Sequence, residues 1–359
     1  MKSTHFFLGA NSAEGFYSLY DQLLDAGLYD LMILKGGPGC GKSTFMRRMA
    51  GALEEYGVET AYIHCSGDPD SLDAVVFPSI RRAVVDGTAP HVLEPQYMAA
   101  RERYVDLSPC YDIARAKAAA EKIVACSDAY RASYREAYHV LRALGSVDEE
   151  RRAIIRTEFD GEKLLRRAAG IAARELKAGG EDGRTEEVFL GGLTCKGQIC
   201  RFDSAETLCP RVYVFCDSYG LAAPALRFLH AAAVQAGLNT IVCRDPLHPA
   251  ELQHLLVPSR GVAFVTSCEG IAYDGKPYRR IRIDAMAEEH LSRAEKARLR
   301  FIRRVRRTLE TETIGALARA KQEHDALEAL YHPCVDFDGV NTLCALETAR
   351  ILRDMQMPA

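Results

Sequence analysis

The segment Leu31-Met-Ile-Leu-Lys-Gly36-Gly-Pro-Gly-Cys-Gly-Lys42-Ser43-Thr44 decides the fold of this chain. It joins a short apolar run to a match of the pattern Gly-x-x-x-x-Gly-Lys-Ser. The residues that follow repeat at the three-to-four spacing of one helix face: Phe45, Met49, Leu53 and Tyr56. The order predicts a buried strand, a glycine-rich turn and an amphipathic helix that stops at Gly57.

The glycine-rich turn has the composition of a phosphate-binding loop. Its glycines let successive N–H groups converge on an anion, and the helix that follows adds its positive end. We expect Lys42 to reach the β and γ phosphates and the Ser43 hydroxyl to bind Mg²⁺, while Thr44 starts the helix. The predicted nucleotide-binding residues are Gly36, Gly37, Pro38, Gly39, Cys40, Gly41, Lys42, Ser43 and Thr44.

Carboxylates in two further segments are candidate partners of this loop. Asp86 follows the apolar residues 83–85 and is the predicted Walker B carboxylate, a metal ligand beside Ser43. One of Asp68, Asp70 and Asp73 is expected to orient water or to join the metal sphere, with helix capping as the alternative. The candidate catalytic residues are Lys42, Asp86, Asp68 and Asp70.

The chain contains an internal repeat at an offset of about 180 residues. Residues 7–9 (Phe-Leu-Gly) recur at 189–191, and residues 159–161 (Phe-Asp-Gly) recur at 337–339. Residues 177–187 are charged and glycine-rich, and this composition predicts a linker. We therefore predict an α/β protein of two tandem parallel-sheet lobes with helical additions, over residues 1–178 and 187–359.

The second copy lacks the predicted phosphate-binding groups. With the copies overlaid, residues 216–223 fall on the phosphate loop, so that Ala222 replaces Lys42 and Ala223 replaces Ser43. Val265 similarly replaces Asp86. The second lobe is expected to fold like the first and to bind no nucleotide.

Composition excludes several classes of protein. The 359 residues carry 46 basic and 49 acidic side chains and are 48% apolar, as in ordinary globular proteins. No uncharged apolar run is long enough to cross a membrane, and the N-terminus lacks a signal-peptide core. The twelve cysteines form no Cys-x-x-Cys pair, so we expect free thiols in a cytoplasmic protein.

These residues resemble those of a bacterial family of tandem P-loop proteins labelled ATPase or nucleotide kinase. The matching segments cover nearly the whole chain: residues 6–10, 35–44, 64–73, 86–91 and 335–341. The resemblance implies two P-loop-like lobes and ATP rather than GTP as the ligand. The second lobe departs from it, because its loop is degenerate.

Three functions fit the sequence. The first is slow ATP hydrolysis or a nucleotide-dependent switch at a single Mg-ATP site. Gly87, not a glutamate, follows Asp86, which argues against a fast motor and favours either a kinase or a slow switch. The second is a nucleotide or small-molecule kinase in which basic residues such as Arg101 and Arg103 close over the phosphates. The third is a nucleotide-dependent binding protein whose second lobe is a platform for a protein partner.

A basic stretch at residues 293–307 leaves the partner open. It has eight Lys and Arg residues against Glu295, with an apolar stripe at Leu291, Phe301, Val305 and Leu309. A solvated helix face is favoured over nucleic-acid contact. A third interpretation is that an arginine of this stretch, in the second lobe, serves as an arginine finger at the nucleotide site of the first lobe.

Overall fold

The computed structural model describes residues 3–25, 30–156, 159–180, 182–268, 270–288 and 291–356. In the first half of the chain the elements are β1 (Thr4–Phe6), β2 (Gly9–Ser12), β3 (Gly15–Ser18), β4 (Asp30–Lys35), α1 (Lys42–Glu55), β5 (Ala61–His64), β6 (Leu72–Phe77), β7 (Arg82–Asp86), β8 (Glu102–Asp106), α2 (Ile113–Ala118), α3 (Ala120–Arg156) and α4 (Gly161–Glu175). Short 3-10 turns cover Tyr20–Leu24, Pro78–Ile80 and Ser108–Cys110.

The second half repeats this order from its first strand onwards. Its elements are β9 (Thr185–Val188), β10 (Gly191–Thr194), β11 (Gly197–Cys200), α5 (Phe202–Leu208), β12 (Arg211–Cys216), α6 (Ala223–Gln235), β13 (Thr240–Arg244), β14 (Leu252–Val257), β15 (Val262–Ser267), β16 (Arg279–Arg282), α7 (Ile283–Glu288), α8 (Arg293–Tyr331) and α9 (Phe337–Gln356). Two more 3-10 turns lie at Pro258–Arg260 and His332–Cys334.

Each half forms a six-stranded sheet, and the two sheets have the same strand order. The first runs β1-β5-β6-β7-β4-β8 and the second runs β9-β13-β14-β15-β12-β16. In each sheet one strand, β6 or β14, is antiparallel to both of its neighbours, and the other pairs are parallel. The protein is therefore α/β, and the sheets that were predicted to be parallel are mixed, since each is mostly parallel but contains one antiparallel strand.

The sheets are apolar on both faces because both faces are covered. Their inner faces share one core, in which Ile33 and Val85 of the first sheet lie with Val214 and Val265 of the second. The outer faces pack against helices, α1 on the first sheet and α6 on the second. The repeated Phe-Leu-Gly segments meet at this junction, where Phe7 and Phe189 exchange backbone hydrogen bonds of 2.9 and 2.8 Å.

The last helix of each half packs on the other half's sheet. Helix α4 buries Leu164 and Ile171 in the outer core of the second sheet. Helix α9 buries Val340 and Ile351 against α1 and the first sheet. A division between residues 178 and 187 therefore separates the two sheets but not the helices that cover them.

Two long helices connect the lobes. Helices α3 and α8 run antiparallel, since Ser133 contacts Glu323 whereas Glu150, further along α3, contacts Arg298. Helix α8 begins with a capping box formed by Ser292 and Glu295. Each of these helices therefore has one end near each lobe.

Several local expectations fail. The linker prediction included residues 185–187, which form part of β9, while residue 181 lies outside the described residues. Tyr56 is 60% exposed, so the apolar stripe of α1 ends at Leu53. Residues 102–106 form the edge strand β8.

Two findings concern membrane-spanning helices and cysteines. Among the residues described, no helix combines the length and apolarity needed to cross a bilayer. All twelve cysteines are free thiols, and no disulfide joins the lobes.

Candidate functional site

The predicted phosphate loop lies between β4 and α1, at the carboxyl end of its strand. Gly39 and Gly41 have φ angles of 68° and 87°, in the left-handed region that glycine adopts without strain. In the described part of the chain, the amides of residues 40–43 donate to no protein acceptor. Cys40 is buried in the core beneath the loop. The loop thus presents a set of open N–H groups, as an anion site requires.

Lys42 lies across this loop. Its Nζ donates to the carbonyl oxygens of Gly36 and Gly37 at 2.8 and 2.9 Å. It also lies 3.5 Å from Asp86 Oδ2, and the two side chains are only 10% and 13% exposed. The structure thus places the loop lysine beside the predicted Walker B carboxylate, in a setting where water screens their interaction little.

Asp86 and Ser43 carry oxygen atoms of the kind that Mg²⁺ prefers. Asp86 Oδ1 accepts from the amide and the hydroxyl of Thr88 at 2.9 and 2.6 Å, which fixes the carboxylate at the end of β7. Ser43 Oγ accepts from the amide of Leu72 at 3.0 Å. Carboxylate and hydroxyl oxygens suit Mg²⁺, so these side chains fit the ion.

The far end of α8 covers the phosphate loop. The Gly39 amide donates to Glu328 Oε1 at 3.2 Å. A Cβ at Gly39 would lie 3.1 Å from the backbone oxygen of Glu328, so both the helix contact and the positive φ require glycine there. Glu328 was not predicted, because it lies 289 residues from its partner and nothing local marks it.

The predicted catalytic carboxylates Asp68 and Asp70 bind lysines of other segments. Lys321 of α8 lies 3.3 Å from Asp68, and Lys196 bonds to Asp70. The hydrogen bond from Lys196 lowers the pKa of Asp70, and Asp70 is exposed. No contact among the described residues joins either carboxylate to Lys42 or Asp86.

Asp73, the third carboxylate of that segment, lies in a buried polar group. Tyr20 donates to Asp73 at 2.9 Å, and His91 Nε2 lies 3.3 Å from the same oxygen without hydrogen-bond geometry. Burial raises the pKa of Asp73; His91 opposes this shift and nearby Asp86 adds to it. In the described structure neither ring nitrogen of His91 has a hydrogen-bond partner, although the side chain is 6% exposed. His91 and Asp73 thus form a buried polar pair that is close enough to Asp86 for its charge to act on Asp73.

The second lobe's loop is filled by its own side chain. Asp217 accepts from the amides of Tyr219, Leu221 and Ala222 at 3.1, 3.0 and 2.7 Å. Its carboxylate is buried and occupies the position where converging amides would hold a phosphate. These hydrogen bonds satisfy the three amides within the chain.

The basic stretch of α8 lies at the second lobe, away from the phosphate loop. At about 1.5 Å per residue, the helix from Arg307 to Glu328 is about 32 Å long, so these arginines do not serve as fingers at Lys42. Of the predicted stripe, Leu291 is buried and Leu309 packs against a buried cluster, whereas Phe301 is 50% exposed. Leu299 and Ile302 are buried instead of Phe301.

The two arginines that were predicted to close over the loop, Arg101 and Arg103, have other positions in the described structure. Arg103 lies in β8 and bonds to Glu347 of α9 instead of closing over the loop. Arg101 precedes that strand and is exposed.

Comparison of the chain with protein-family models, curated proteins and solved structures gives no match.

Proposed function

We propose that this protein binds Mg-ATP at residues 36–44 and uses it as a slow ATPase or nucleotide-dependent switch, with one site in the first lobe. The observation that carries the proposal is the open set of loop amides beside the buried Lys42–Asp86 pair. Amides, a lysine and a strand-end carboxylate are the groups that hold triphosphate and its metal in phosphoryl-transfer sites.

The residues of the site have separable roles in this proposal. The amides of residues 40–43 and the start of α1 bind phosphate oxygens. Lys42 exchanges the carbonyls of Gly36 and Gly37 for phosphate oxygens and so neutralises charge that develops on the transferred group. Mg²⁺, held by Ser43 and Asp86, would supply further neutralisation of the phosphates.

The proposal that ATP hydrolysis is slow rests on the groups around Asp86. Gly87 follows it where fast ATPases carry a water-polarising glutamate, and Thr88 occupies Asp86 Oδ1. His91 and Asp73 remain as the groups able to orient a water. With Asp68 and Asp70 bound to lysines, no observation favours transfer to an acceptor over hydrolysis.

The test is a thermal-shift and calorimetric titration of wild type and Lys42→Ala with Mg-ATP. Ligand at 100 times its dissociation constant is expected to stabilise the wild type by about 2.7 kcal/mol. Lys42→Ala is expected to lose most of this shift, whereas Lys117→Ala, an exposed lysine on α2, keeps it. An unchanged melting curve for the wild type, or equal shifts in all three proteins, contradicts the proposal.

Product analysis then separates the reactions. Release of phosphate without an acceptor supports hydrolysis, and transfer to a member of a nucleoside panel supports a kinase instead. Tight binding without turnover supports a binding switch.

A further inference from the structure

Aromatic side chains from two segments of the chain border the phosphate loop. Tyr111 precedes α2, and Tyr331, His332 and Phe337 lie between the end of α8 and the start of α9. We call these four side chains the aromatic wall. His332 is exposed and the other three are half-buried, so the protein covers the wall only in part.

Two glycines of the phosphate loop pack directly on the aromatic wall. A Cβ at Gly37 would lie 2.9 Å from Tyr111 Oη. A Cβ at Gly41 would lie 3.7 Å from the nearest atom of the Phe337 ring. The wall therefore lies beside the residues that we propose to bind phosphate.

The rings of the aromatic wall are arranged in two pairs. Tyr111 and Tyr331 meet edge to face, with ring centroids 6.0 Å apart. The rings of His332 and Phe337 are tilted, with centroids 4.5 Å apart. Aromatic rings attract one another at these separations, so the wall is a preformed surface on which a further flat ring can pack.

The aromatic wall and the carboxylate of Asp86 lie on opposite sides of the loop. Strand β4 pairs with β7 at one edge and with β8 at the other. Asp86 ends β7, whereas Tyr111 follows β8. The two outer strands are two strand spacings, about 10 Å, apart. We therefore expect a triphosphate whose metal binds at Asp86 to extend its nucleoside across the loop toward the wall.

The hydroxyl of Tyr111 is a second feature that calls for a ligand. It is buried near the Cys40 thiol and the Gly37 amide, but it makes no hydrogen bond of ordinary geometry in the described structure. A buried polar atom without a partner is costly unless a ligand or water completes its hydrogen bonds. Burial raises the pKa of Tyr111, so the hydroxyl keeps its proton and can donate to an oxygen of a bound nucleotide.

Backbone amides in the segments that carry the aromatic wall are used within the chain. The amides of residues 110–112, 335 and 336 all donate to backbone carbonyl oxygens, at 2.7 to 3.3 Å. These amides therefore do not read the edge of a base. Stacking on an aromatic ring uses the face of a base, which all bases share, and so tolerates any base.

We propose that the aromatic wall binds the base of the nucleotide by stacking on its ring face, with little selection between adenine and guanine. The inference rests on the proposed nucleotide site at residues 36–44. It differs from the expectation of ATP rather than GTP, which came from resemblance alone.

The test compares ATP, GTP and tripolyphosphate, each with Mg²⁺, in calorimetric titrations of the full chain. Tripolyphosphate carries phosphates but no base, so it reports on the loop without the wall. Tyr331→Ala is expected to weaken ATP binding at least fivefold, about 1 kcal/mol, and to change tripolyphosphate affinity less than twofold. The wild type is expected to bind GTP within fivefold of ATP.

The matched control is Tyr56→Ala, which removes an exposed tyrosine at the far end of α1, about 21 Å along the helix from Lys42. It is expected to leave the affinities for all three ligands unchanged. If Tyr331→Ala melts early without ligand, Tyr331→Leu, which fills the space without a flat ring, replaces it with the same expectation.

Three results would overturn the inference while leaving the nucleotide site in place. They are an unchanged ATP affinity in the Tyr331 variant, an equal loss for ATP and tripolyphosphate, and a preference above fivefold for one of the two purine nucleotides. If the wild type binds neither ATP nor tripolyphosphate, the proposed function itself fails, and this inference fails with it.

Discussion

The loop after β4 and the loop after β12 occupy the same position in two sheets of equal strand order, but their amides meet different partners. In the first loop the amides of residues 40–43 are open, and Lys42 lies across them. In the second, Asp217 accepts from three amides. The overlay places Asp217 where the first loop has Gly37.

The comparison shows that loops after equivalent strands of two sheets with the same strand order can leave their amides open or satisfy them with a side chain. A carboxylate is itself an anion, so an aspartate at this position supplies from within the chain what a phosphate would supply from outside. The backbone also differs, since positive φ angles occur at Gly39 and Gly41 in one loop and at Gly220 in the other. The absence of a lysine from the second loop is therefore only one of several differences between the two loops.

The largest effect is expected from removing the carboxylate that fills the second loop. Asp217→Ala leaves three buried amides without acceptors, and we expect the free energy of unfolding to fall by about 3 kcal/mol or more. Urea denaturation measures the change. Asp203→Ala, an exposed aspartate in the first turn of α5, is the control and is expected to cost less than about 1 kcal/mol. Equal losses in the two variants would show that the loop does not depend on Asp217.

The next effect concerns the metal side of the first loop. Asp86→Asn keeps the size of the side chain but removes the charge beside Lys42, and we expect Mg-ATP affinity to fall at least tenfold, about 1.4 kcal/mol. ATP affinity measured in EDTA is expected to change less, because only the metal-bound form needs the carboxylate.

The control for this substitution is Asp106→Asn. Asp106 also ends a parallel strand of the same sheet, but it is exposed and accepts from the Ser108 amide. It is expected to leave Mg-ATP affinity unchanged. If Asp86→Asn lowers ATP affinity equally with and without magnesium, Asp86 acts only through its ion pair with Lys42 and does not bind the metal.

Local sequence was enough to predict the central part of the fold and site. The apolar run, glycines and amphipathic helix from Asp30 to Glu55 follow one another without a gap, so short-range preferences determine them. Lys42 and Asp86 meet because β4 and β7 are neighbouring parallel strands whose ends coincide. This much follows from adjacency in an α/β sheet.

Long-range packing determined what could not be predicted. Residues 72–77 form an antiparallel strand, which a strand-helix alternation does not suggest. The sequence does not indicate that α4 and α9 each pack on the sheet of the other half, because a helix with one apolar face fits either sheet. Asp68 and Asp70 had the pattern of site carboxylates, but the lysines that bind them come from the second half of the chain.

The smallest effect is expected at the contact between α8 and the first loop. Glu328 Oε1 accepts from the Gly39 amide at 3.2 Å, and its side chain is 43% exposed, so the bond is weak and a triphosphate has to displace it or lie beside its charge. Glu328→Gln is expected to raise ATP affinity two- to fivefold, about 0.4 to 1 kcal/mol, in a calorimetric titration at low salt.

The matched control is Glu312→Gln, which removes the same charge from an exposed position of the same helix about 24 Å along its axis. At physiological ionic strength, salt screens a charge at that distance from the loop. We therefore expect ATP affinity to be unchanged in this variant. A fall in affinity for Glu328→Gln would reverse the interpretation: the carboxylate would then assist the ligand, and α8 would complete the first loop where Asp217 closes the second.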